Sequence, residues 1–458
     1  MSRKLPGEAQ ALAIGEAVCA RANGVPLQAT VLLNRNRLTR LGGGVVLHQA
    51  EVDDAKVIVR ALIEGAEGVA FTNDLSDAGL SQACSQAIET ARLSPPSNTK
   101  PTLPTPQQAG VVSSASSWDE ATALGDPQAE SVRLAAALDA ARAEDALLAG
   151  ILGRRAHVRA VVNTHGLARA SKSTSAYARF IATCGVGSGH GGALVASESD
   201  LDLPALAAKA GRVAKASSKP VSLPAGRYDV VLEPEAVIEL LEWFSGIAFG
   251  ARAWEEGRSF LTGKRGEKIT GSGINMYDPG PEDPILPVSF DHEGVARQRV
   301  DFIVDGHAGD VVHDFHSAKR NGCASTGHWA IDERFPVDGP TPGAVVLGVG
   351  SDSGDLLDGL EHGLHVQRFH YVNGRLDPQK ARMTGLTRDG LFEVRDGEVV
   401  GAVRDLRFTE NLLEAFERVD GLGNYLHSVT TFWSEYGGAY AAPRMRIRDF
   451  LFTGTCER

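Results

Sequence analysis

The fold of the first segment is decided by four runs: Ala29-Thr-Val-Leu-Leu-Asn34, Arg37-Leu-Thr-Arg-Leu41, Val45-Val-Leu-His48 and Lys56-Val-Ile-Val-Arg-Ala-Leu62. The runs are short and rich in aliphatic residues, and Arg35-Asn36 and Gly42-Gly-Gly44 interrupt them. Short runs divided by turn residues in this way are typical of a β-meander. We therefore expect the chain to begin with antiparallel strands, ending at Val69-Ala-Phe-Thr72.

Helices are predicted on both sides of this meander, over residues 7–21 and 77–93, with Asp77 as the N-cap of the second. The same order recurs later in the chain. It predicts a helix from residue 127 to 152, a final helix from 203 to 216, and between them strands at 157–162, 167–174, 177–184 and 193–196. An internal duplication explains the repeated order, and two such halves can pair into one antiparallel sheet covered by helices.

The chain divides by composition into four parts. Residues 1–93 form the first α/β half, and residues 94–117 form a linker rich in Pro, Ser and Thr. Residues 118–222 form the second half. Residues 223–458 are mostly short strands separated by Gly, Asp and Pro, and they predict a β-rich domain that is barrel-like or sandwich-like. The fold class expected for the whole chain is α+β.

Charge and cysteine content exclude several classes of protein. Among 458 residues, Lys plus Arg number 46 and Asp plus Glu 57, so the net charge is −11 and a basic nucleic-acid-binding face is not expected. No apolar run approaches the length of a membrane helix or a signal-peptide core. The cysteines are too scattered for a disulfide framework or a zinc ribbon, and we expect reduced thiols in a cytoplasmic protein. They are Cys19, Cys84, Cys184, Cys323 and Cys456.

The histidines are candidates for metal binding. His313 and His316 are three residues apart, and the stretch before them resembles a strand, on which they would point to opposite faces. Neither HExxH nor HExxxH occurs, although His pairs of this kind on a helix are the strongest sequence signal for a zinc hydrolase. We therefore assign no metal ligand, and a divergent set drawn from His307, His313, His316 and His328 stays an alternative.

Two acidic residues lie in Phe290-Asp-His-Glu-Gly294. On a strand, Asp291 and Glu293 would share a face and could bind a cation or a peptide amine. In the alternative interpretation the segment is a turn, with Asp291 as an Asx cap and Gly294 at positive φ.

A tract of small residues runs from Asn321 to Gly327. Such a loop can present backbone N–H groups to a peptide carbonyl. It matches neither a Walker A loop nor a GxSxG elbow, so we assign no catalytic residue. With Asp291 and Glu293, the candidate substrate-binding residues are Ser325, Thr326, Gly327 and His328.

Several tracts together resemble the TldD/PmbA family, also called TldD/TldE, over most of the chain and best between Tyr228 and Gly421. The tract already quoted at 290–294 is among them, and so is the tract from Ala318 to Gly327, which contains the small residues described above. The others are Val231-Leu-Glu-Pro234, Gly257-Arg-Ser-Phe-Leu261, Gly263-Lys-Arg-Gly266, Glu361-His-Gly-Leu-His365, Phe369-His-Tyr-Val372, Leu386-Thr-Arg-Asp-Gly390 and Leu406-Arg-Phe-Thr409.

The resemblance implies a cytoplasmic heterodimer that cleaves peptides. In it, a TldD-like subunit carries HExxxH and a Cys near its C-terminus as zinc ligands, and a TldE/PmbA-like subunit lacks them. Here the helix from Pro234 contains no His, residues 431–437 contain no Cys, and Cys456 lies beyond the resemblance. Both departures indicate the metal-free subunit.

We therefore expect a TldE/PmbA-like subunit whose zinc is held by an HExxxH-bearing partner. The complex would process peptide precursors or degrade unfolded peptides, and this chain would form part of the substrate channel. The alternatives are an active metallopeptidase with divergent His ligands and a non-proteolytic protein for peptide binding or assembly. We expect no nucleic-acid or membrane partner.

Overall fold

A computed structural model describes residues 5, 7–97, 100–115, 117–283, 285–332, 337–431 and 439–455. The helices are α1 (Glu8–Cys19), α2 (Asp77–Leu93), α3 (Glu120–Leu124), α4 (Pro127–Arg142), α5 (Leu203–Ala216), α6 (Pro234–Ala248), α7 (Ala251–Glu255), α8 (Phe315–Asn321) and α9 (Leu412–Glu417). The strands of the N-terminal part are β1 (Leu27–Gly42), β2 (Val45–Ile63), β3 (Ala66–Thr72), β4 (Leu147–Asn163), β5 (Ala168–Cys184) and β6 (Gly187–Val195).

The strands of the C-terminal part are shorter on average. They are β7 (Gly226–Leu232), β8 (Met276–Asp278), β9 (Val300–Val304), β10 (His307–Ala308), β11 (Trp329–Asp332), β12 (Val337–Pro340), β13 (Ala344–Leu347), β14 (His362–Asp377), β15 (Arg382–Arg395), β16 (Glu398–Ala402), β17 (Leu406–Asn411), β18 (Val419–Leu422), β19 (His427–Val429), β20 (Ala439–Ala442) and β21 (Met445–Thr455).

The N-terminal sheet is antiparallel and is built from two similar halves, as predicted. Its strand order is β3-β2-β1-β4-β5-β6, and β1 pairs with β4 at the centre from Gln28↔Asn163 to Leu41↔Gly150. Each half supplies a helix, a three-stranded meander and a second helix. The edge strands use glycine in the same way. An added Cβ would lie 2.2 Å from Ala87 O at Gly68, and 2.1 Å from Ala210 O at Gly189. Glycine thus lets α2 and α5 approach the edges closely.

The strands are longer than predicted, because polar residues in them find partners across the sheet. The expected turn at Arg35-Asn36 is wrong, since β1 continues through it. Arg35 lies opposite Asp53 on β2, and their side chains form an ion pair at 2.7 Å. The side-chain oxygen of Asn34 lies 2.6 Å from Nδ1 of His157 on β4. The glycine-rich residues 185–192 separate two of the predicted strands, at 177–184 and 193–196, but those from Gly187 onwards are likewise part of a strand, β6.

Two helix boundaries also differ from the sequence interpretation. The helix predicted over 127–152 ends at Arg142 because Asp145 has a φ of 58°, and the apolar residues from Leu147 onwards belong to the central strand β4. The N-cap of α2 is Ser76 rather than Asp77, since its side chain accepts a hydrogen bond from Gly79 N at 3.2 Å.

The segment 94–117 has no helix or strand in its described residues. It is nevertheless fastened to the sheet. Leu103 and Ala109 are buried, and Asn163 donates to Pro104 O at 2.8 Å. None of the described helices is long and apolar enough to cross a membrane.

The C-terminal domain is β-rich, and its larger sheet closes into a barrel. The pairings run from β14 to β7, β21, β17 and β15, and β15 pairs back with β14. A second sheet has the order β10-β9-β8-β13-β20-β19. Helix α6 contacts β14 of the barrel and β13, β19 and β20 of the second sheet. It is thus packed between the two, and its Phe244 contacts the rings of Phe249, Phe260 and Phe416.

The close approach of α5 to β6 predicts that Gly189→Ala destabilises the chain. The added methyl group has no room at Ala210 O, and overpacking of this kind costs about 1–3 kcal/mol of unfolding free energy. Urea unfolding measures the loss. Gly246→Ala is the matched control, because that helical glycine is exposed with no atom within 4 Å of an added Cβ. It should gain up to about 1 kcal/mol. Equal stability of Gly189→Ala and the native chain would contradict the packing described.

Candidate functional site

The six predicted substrate-binding residues are brought together where two segments of the C-terminal domain run side by side against the N-terminal sheet. Gln298 N donates to Thr326 O at 3.0 Å, and His292 N donates to Trp329 O at 3.2 Å. The same segment contacts the sheet, because the side chain of Thr30 on β1 donates to His292 O at 2.8 Å. The site predicted from sequence is therefore a boundary between the two parts of the chain.

Asp291 organises a turn, which confirms the second interpretation of this segment. Its Oδ1 accepts from the backbone N–H groups of Glu293 and Val295 at 2.9 Å each, and its Oδ2 accepts from Trp329 N at 2.8 Å. Gly294 has a φ of 78°. Burial raises the pKa of Asp291, and the backbone hydrogen bonds oppose that rise.

Glu293 joins the two parts of the chain through a buried ion pair. Its Oε1 lies 2.6 Å from Nη1 of Arg60 on β2, and the side chains of Glu293 and Arg60 are 1% and 3% exposed. Its Oε2 accepts from Phe315 N, which belongs to the first turn of α8. Burial raises the pKa of Glu293, and the charge of Arg60 offsets that rise only in part. Arg60 also binds Glu67 at 2.7 Å, so its own charge is well compensated.

Ser325, Thr326 and Gly327 make local contacts. The hydroxyl groups of Ser325 and Thr326 donate to His313 O at 3.3 and 2.9 Å. Gly327 has a φ of 71°, and an added Cβ would lie 2.4 Å from Ala296 O. The glycine is thus needed for the close approach of two backbones. His313 lies before Asp314, the N-cap of α8, and His316 lies within α8, so the strand expected there is wrong.

His328 is fully buried beside Asp278, with Nε2 3.2 Å from Oδ2 of that carboxylate. Asp278 Oδ2 also binds Arg297 NH2 at 2.7 Å and accepts from Gly343 N at 2.8 Å. Burial lowers the pKa of His328, and the charge of Arg297 lowers it further. Each of the six residues therefore has partners within the chain, and their contact with a peptide stays a prediction.

A second group of charged residues, which the sequence interpretation missed, surrounds α6. Glu235, Glu239 and Glu242 are spaced i, i+4 and i+7, so they share one face of the helix. Lys209 Nζ of α5 lies 2.6 Å from Glu235 Oε1, and Thr431 donates to Glu242 Oε1 at 2.6 Å. Three glutamates in an otherwise apolar helix were the signal that could have revealed this group.

The N-cap of α6, Glu233, adds a further carboxylate. Its Oε1 lies 2.7 Å from His365 Nε2 of β14 and 2.8 Å from Arg444 Nε. Burial favours a raised pKa for Glu233, but the hydrogen bond from His365 and the nearby positive charges outweigh it and lower the pKa to about 2. Glu233 is therefore ionised at neutral pH.

The α6 residues do not fit a catalytic zinc ion. Such a site needs about three protein ligands, most often with His among them, and α6 offers carboxylates only. Lys209 already places a positive charge 2.6 Å from Glu235, and Arg368 NH1 lies 3.9 Å from Glu239. Across the described residues, no group of three or more His, Cys, Asp or Glu is arranged to hold a metal ion. Residues 432–437 and Cys456 lie outside the described residues.

Two domains of a known family match this chain, and one of the matches contains α6. Residues 225–454, half of the chain, match the PmbA/TldA metallopeptidase C-terminal domain, and residues 123–218 match the central domain of the same family. The chain belongs to the TldD/PmbA family. The match to the central domain ends before β7, and the match to the C-terminal domain contains α6 and all of the barrel except Thr455, the last residue of β21.

Two individual proteins match part of the chain. A metalloprotease of Methanothermobacter thermautotrophicus is 28% identical over 254 residues, which cover 54% of this chain and 54% of that protein. An uncharacterized protein of Methanocaldococcus jannaschii is 31% identical over 176 residues, 34% of this chain and 42% of its own length. The matched region thus spans about half the length of these relatives.

The fold likeness extends over nearly the whole chain. The crystal structure of TldE from Thermococcus kodakarensis aligns with a TM-score of 0.83 and 20% identity, covering 97% of this chain and 99% of that one. At 20% identity, this structural likeness shows that the two chains share a fold.

The contacts of Asp278 predict a pH-dependent loss of stability in Asp278→Asn. Burial would raise the pKa of Asp278, but Arg297, His328 and backbone N–H groups hold it well below its usual range. Its stabilising effect is therefore present above the unfolded-state pKa of about 3.9 and is lost as the pH falls towards the folded pKa. Urea unfolding at pH 7 should show a loss of about 3–5 kcal/mol, because the variant leaves Arg297 buried without its charge partner.

At pH 3 the difference between Asp278→Asn and the native chain should be smaller, since the native chain has by then lost part of the same contribution. The control is Asp139→Asn, an exposed residue of α4 paired with Arg142, which should change stability by about 0.2–0.5 kcal/mol. A difference for Asp278→Asn that is equal at pH 7 and pH 3 would contradict the ionised state of this carboxylate.

Proposed function

We propose that this chain is the TldE/PmbA-like subunit of a cytoplasmic zinc metallopeptidase heterodimer. The complex processes peptide precursors or degrades unfolded peptides, and this chain forms part of the substrate channel. The observation that carries the proposal is the composition of α6, where the family resemblance places the metal ligands. It has no His, and Lys209 is paired with its Glu235.

The two subunits of the proposed complex therefore make different contributions. The zinc ion and the water that it activates belong to an HExxxH-bearing, TldD-like partner. This chain contributes a barrel and a second sheet, and strands of this kind can hold an extended peptide by main-chain pairing. The proposed channel wall contains Asp291, Glu293 and the tract from Ser325 to His328. Half-buried Thr326 is the residue of this tract with the most exposed surface, whereas Asp291 and Glu293 are buried and hold the wall in place from behind.

The arrangement of the histidines gives no support to the rival function of an independent metallopeptidase. His328 lies against Asp278. Nδ1 of His307 lies 2.9 Å from the backbone oxygen of Asp305, two residues earlier in the chain. His313 Nδ1 lies 3.3 Å from Ser317 Oγ. The proposal therefore assigns peptide hydrolysis to the complex and not to this chain alone.

Reconstitution tests the proposal. The purified chain, a TldD-like chain with HExxxH from the same organism, and their mixture are incubated with an unstructured fluorescent peptide. We expect cleavage by the mixture, none by this chain alone, and loss of activity on chelation, because the water then loses its Lewis acid. Size-exclusion chromatography should show a heterodimer. Cleavage by this chain alone at the rate of the mixture would refute the subunit proposal.

A further inference from the structure

A cavity of about 280 Å³ opens at the N-terminal end of α6. Lys209 of α5 contributes to the lining, and so do the loops around residues 352–356 and 423–427, which are joined by a bridge between Asp352 and Gly423. The charged and imidazole side chains that line it are Lys209, Glu233, Glu235, Asp352, His427 and Arg444. A residue of the second α/β half, Lys209, therefore meets residues of the C-terminal domain in this cavity.

The lining carries more negative than positive charge. Glu233, Glu235 and Asp352 give three carboxylates, against the two cations Lys209 and Arg444, so the described lining has a net charge of 2 − 3 = −1 with His neutral. Arg444 is shared between Glu233 and Asp355, another carboxylate just outside the cavity lining. This surplus favours a cation, although the partial positive charge of the α6 N-terminus, at the same end of the cavity, reduces it.

Glu235 supplies an acceptor with unused capacity. Its side chain is 3% exposed, and Oε1 is bound to Lys209 Nζ at 2.6 Å. Its Oε2 is buried and has no hydrogen-bond partner among the described residues. A buried carboxylate oxygen without a donor is costly, so a ligand that donates to it recovers that free energy.

His427 and Tyr425 complete the environment. His427 Nε2 lies 3.0 Å from Gly192 O and 3.9 Å from Glu235 Oε1. Because a carbonyl only accepts, the proton of the neutral ring is on Nε2, and Nδ1 is a second acceptor. Tyr425, also in the lining, is 74% exposed and offers an aromatic face at the rim.

We propose that this cavity binds a primary ammonium group, with the carboxylate of Glu235 as its principal acceptor. An ammonium group has three N–H donors and one positive charge, and it is small enough to bind a carboxylate that Lys209 also binds. A divalent metal ion fits less well, because Lys209 holds a positive charge on the same carboxylate. The group can be the α-amino terminus of a peptide or amino acid, or the side chain of a lysine. The inference concerns this chain alone and does not rest on the proposed function.

Calorimetric titration of the full chain tests the inference with three probes of matched size. They are trialanine amide with a free amino terminus, its N-acetylated form, and Nα-acetyl-lysine amide. At least one of the two amine-bearing probes should bind, and about tenfold or more tightly than the acetylated peptide. Binding of the first identifies an α-amino site, and binding of the third alone identifies a lysine site. Equal binding of all three, or of none, overturns the inference.

Variants assign the binding to this cavity. Glu235→Gln keeps the shape of the side chain but removes its charge, and should weaken the bound amine probe about tenfold or more. Glu398→Gln is the matched control, since that exposed glutamate lies on β16 outside the lining, and its affinity should be native. Native affinity in Glu235→Gln overturns the assignment.

A second variant, at an exposed residue of the cavity lining, keeps the proposal testable if Glu235→Gln does not fold. Tyr425→Ala removes an exposed ring and should leave the thermal unfolding curve unchanged, while weakening the amine probe by about two- to fivefold through lost cation–π contact. Tyr371→Ala, which removes another ring that is 60% exposed and outside the lining, is its control. If Tyr425→Ala and Glu235→Gln both fold and both bind as the native chain does, the cavity is not the site.

Discussion

The ion pair between Arg60 and Glu293 is the constraint on which the arrangement of the molecule depends. Both side chains are almost fully buried, and each belongs to a different part of the chain. Around the pair, Arg159 donates to Phe290 O at 2.9 Å, and the Trp329 ring lies 4.8 Å from the Arg60 guanidinium. Removing one partner of such a pair costs about 3–5 kcal/mol, because the other charge stays buried. The N-terminal sheet and the C-terminal domain are therefore held in one relative position, and Lys209 of the first part can meet Glu235 of the second.

Much of the fold follows from local sequence. The short apolar runs predicted the strands, the two similar halves and the barrel-like domain, since turn residues and β-branched residues act over a few positions. The errors arose where the conformation of a residue depends on partners that are distant in the sequence. Arg35 seemed a turn residue until Asp53, 18 residues away, placed it within a strand. Residues 147–152 continued a helical pattern, yet they pack in the centre of the sheet, where Leu148 and Leu152 are buried with Phe180.

The site was less predictable for the same reason. Asp291 and Glu293 drew attention because acidic residues close in sequence suggest a site, but their partners, Trp329 and Arg60, are far away along the chain and give them structural roles. The glutamates of α6 are separated in sequence from Lys209 and Thr431, so their shared environment exists only in the folded chain. The family resemblance was nevertheless visible, because it depends on tracts of sequence and not on contacts.

The central claim is that the metal of the proposed complex is not held by this chain. Elemental analysis of the purified chain, after dialysis against metal-free buffer, tests it most directly. The composition of α6 and its pairing with Lys209 predict far less than one zinc ion per chain. A content near one zinc ion per chain, lost when His313 or His328 is replaced by alanine, would contradict the claim. It would instead support the alternative of an active metallopeptidase with divergent His ligands.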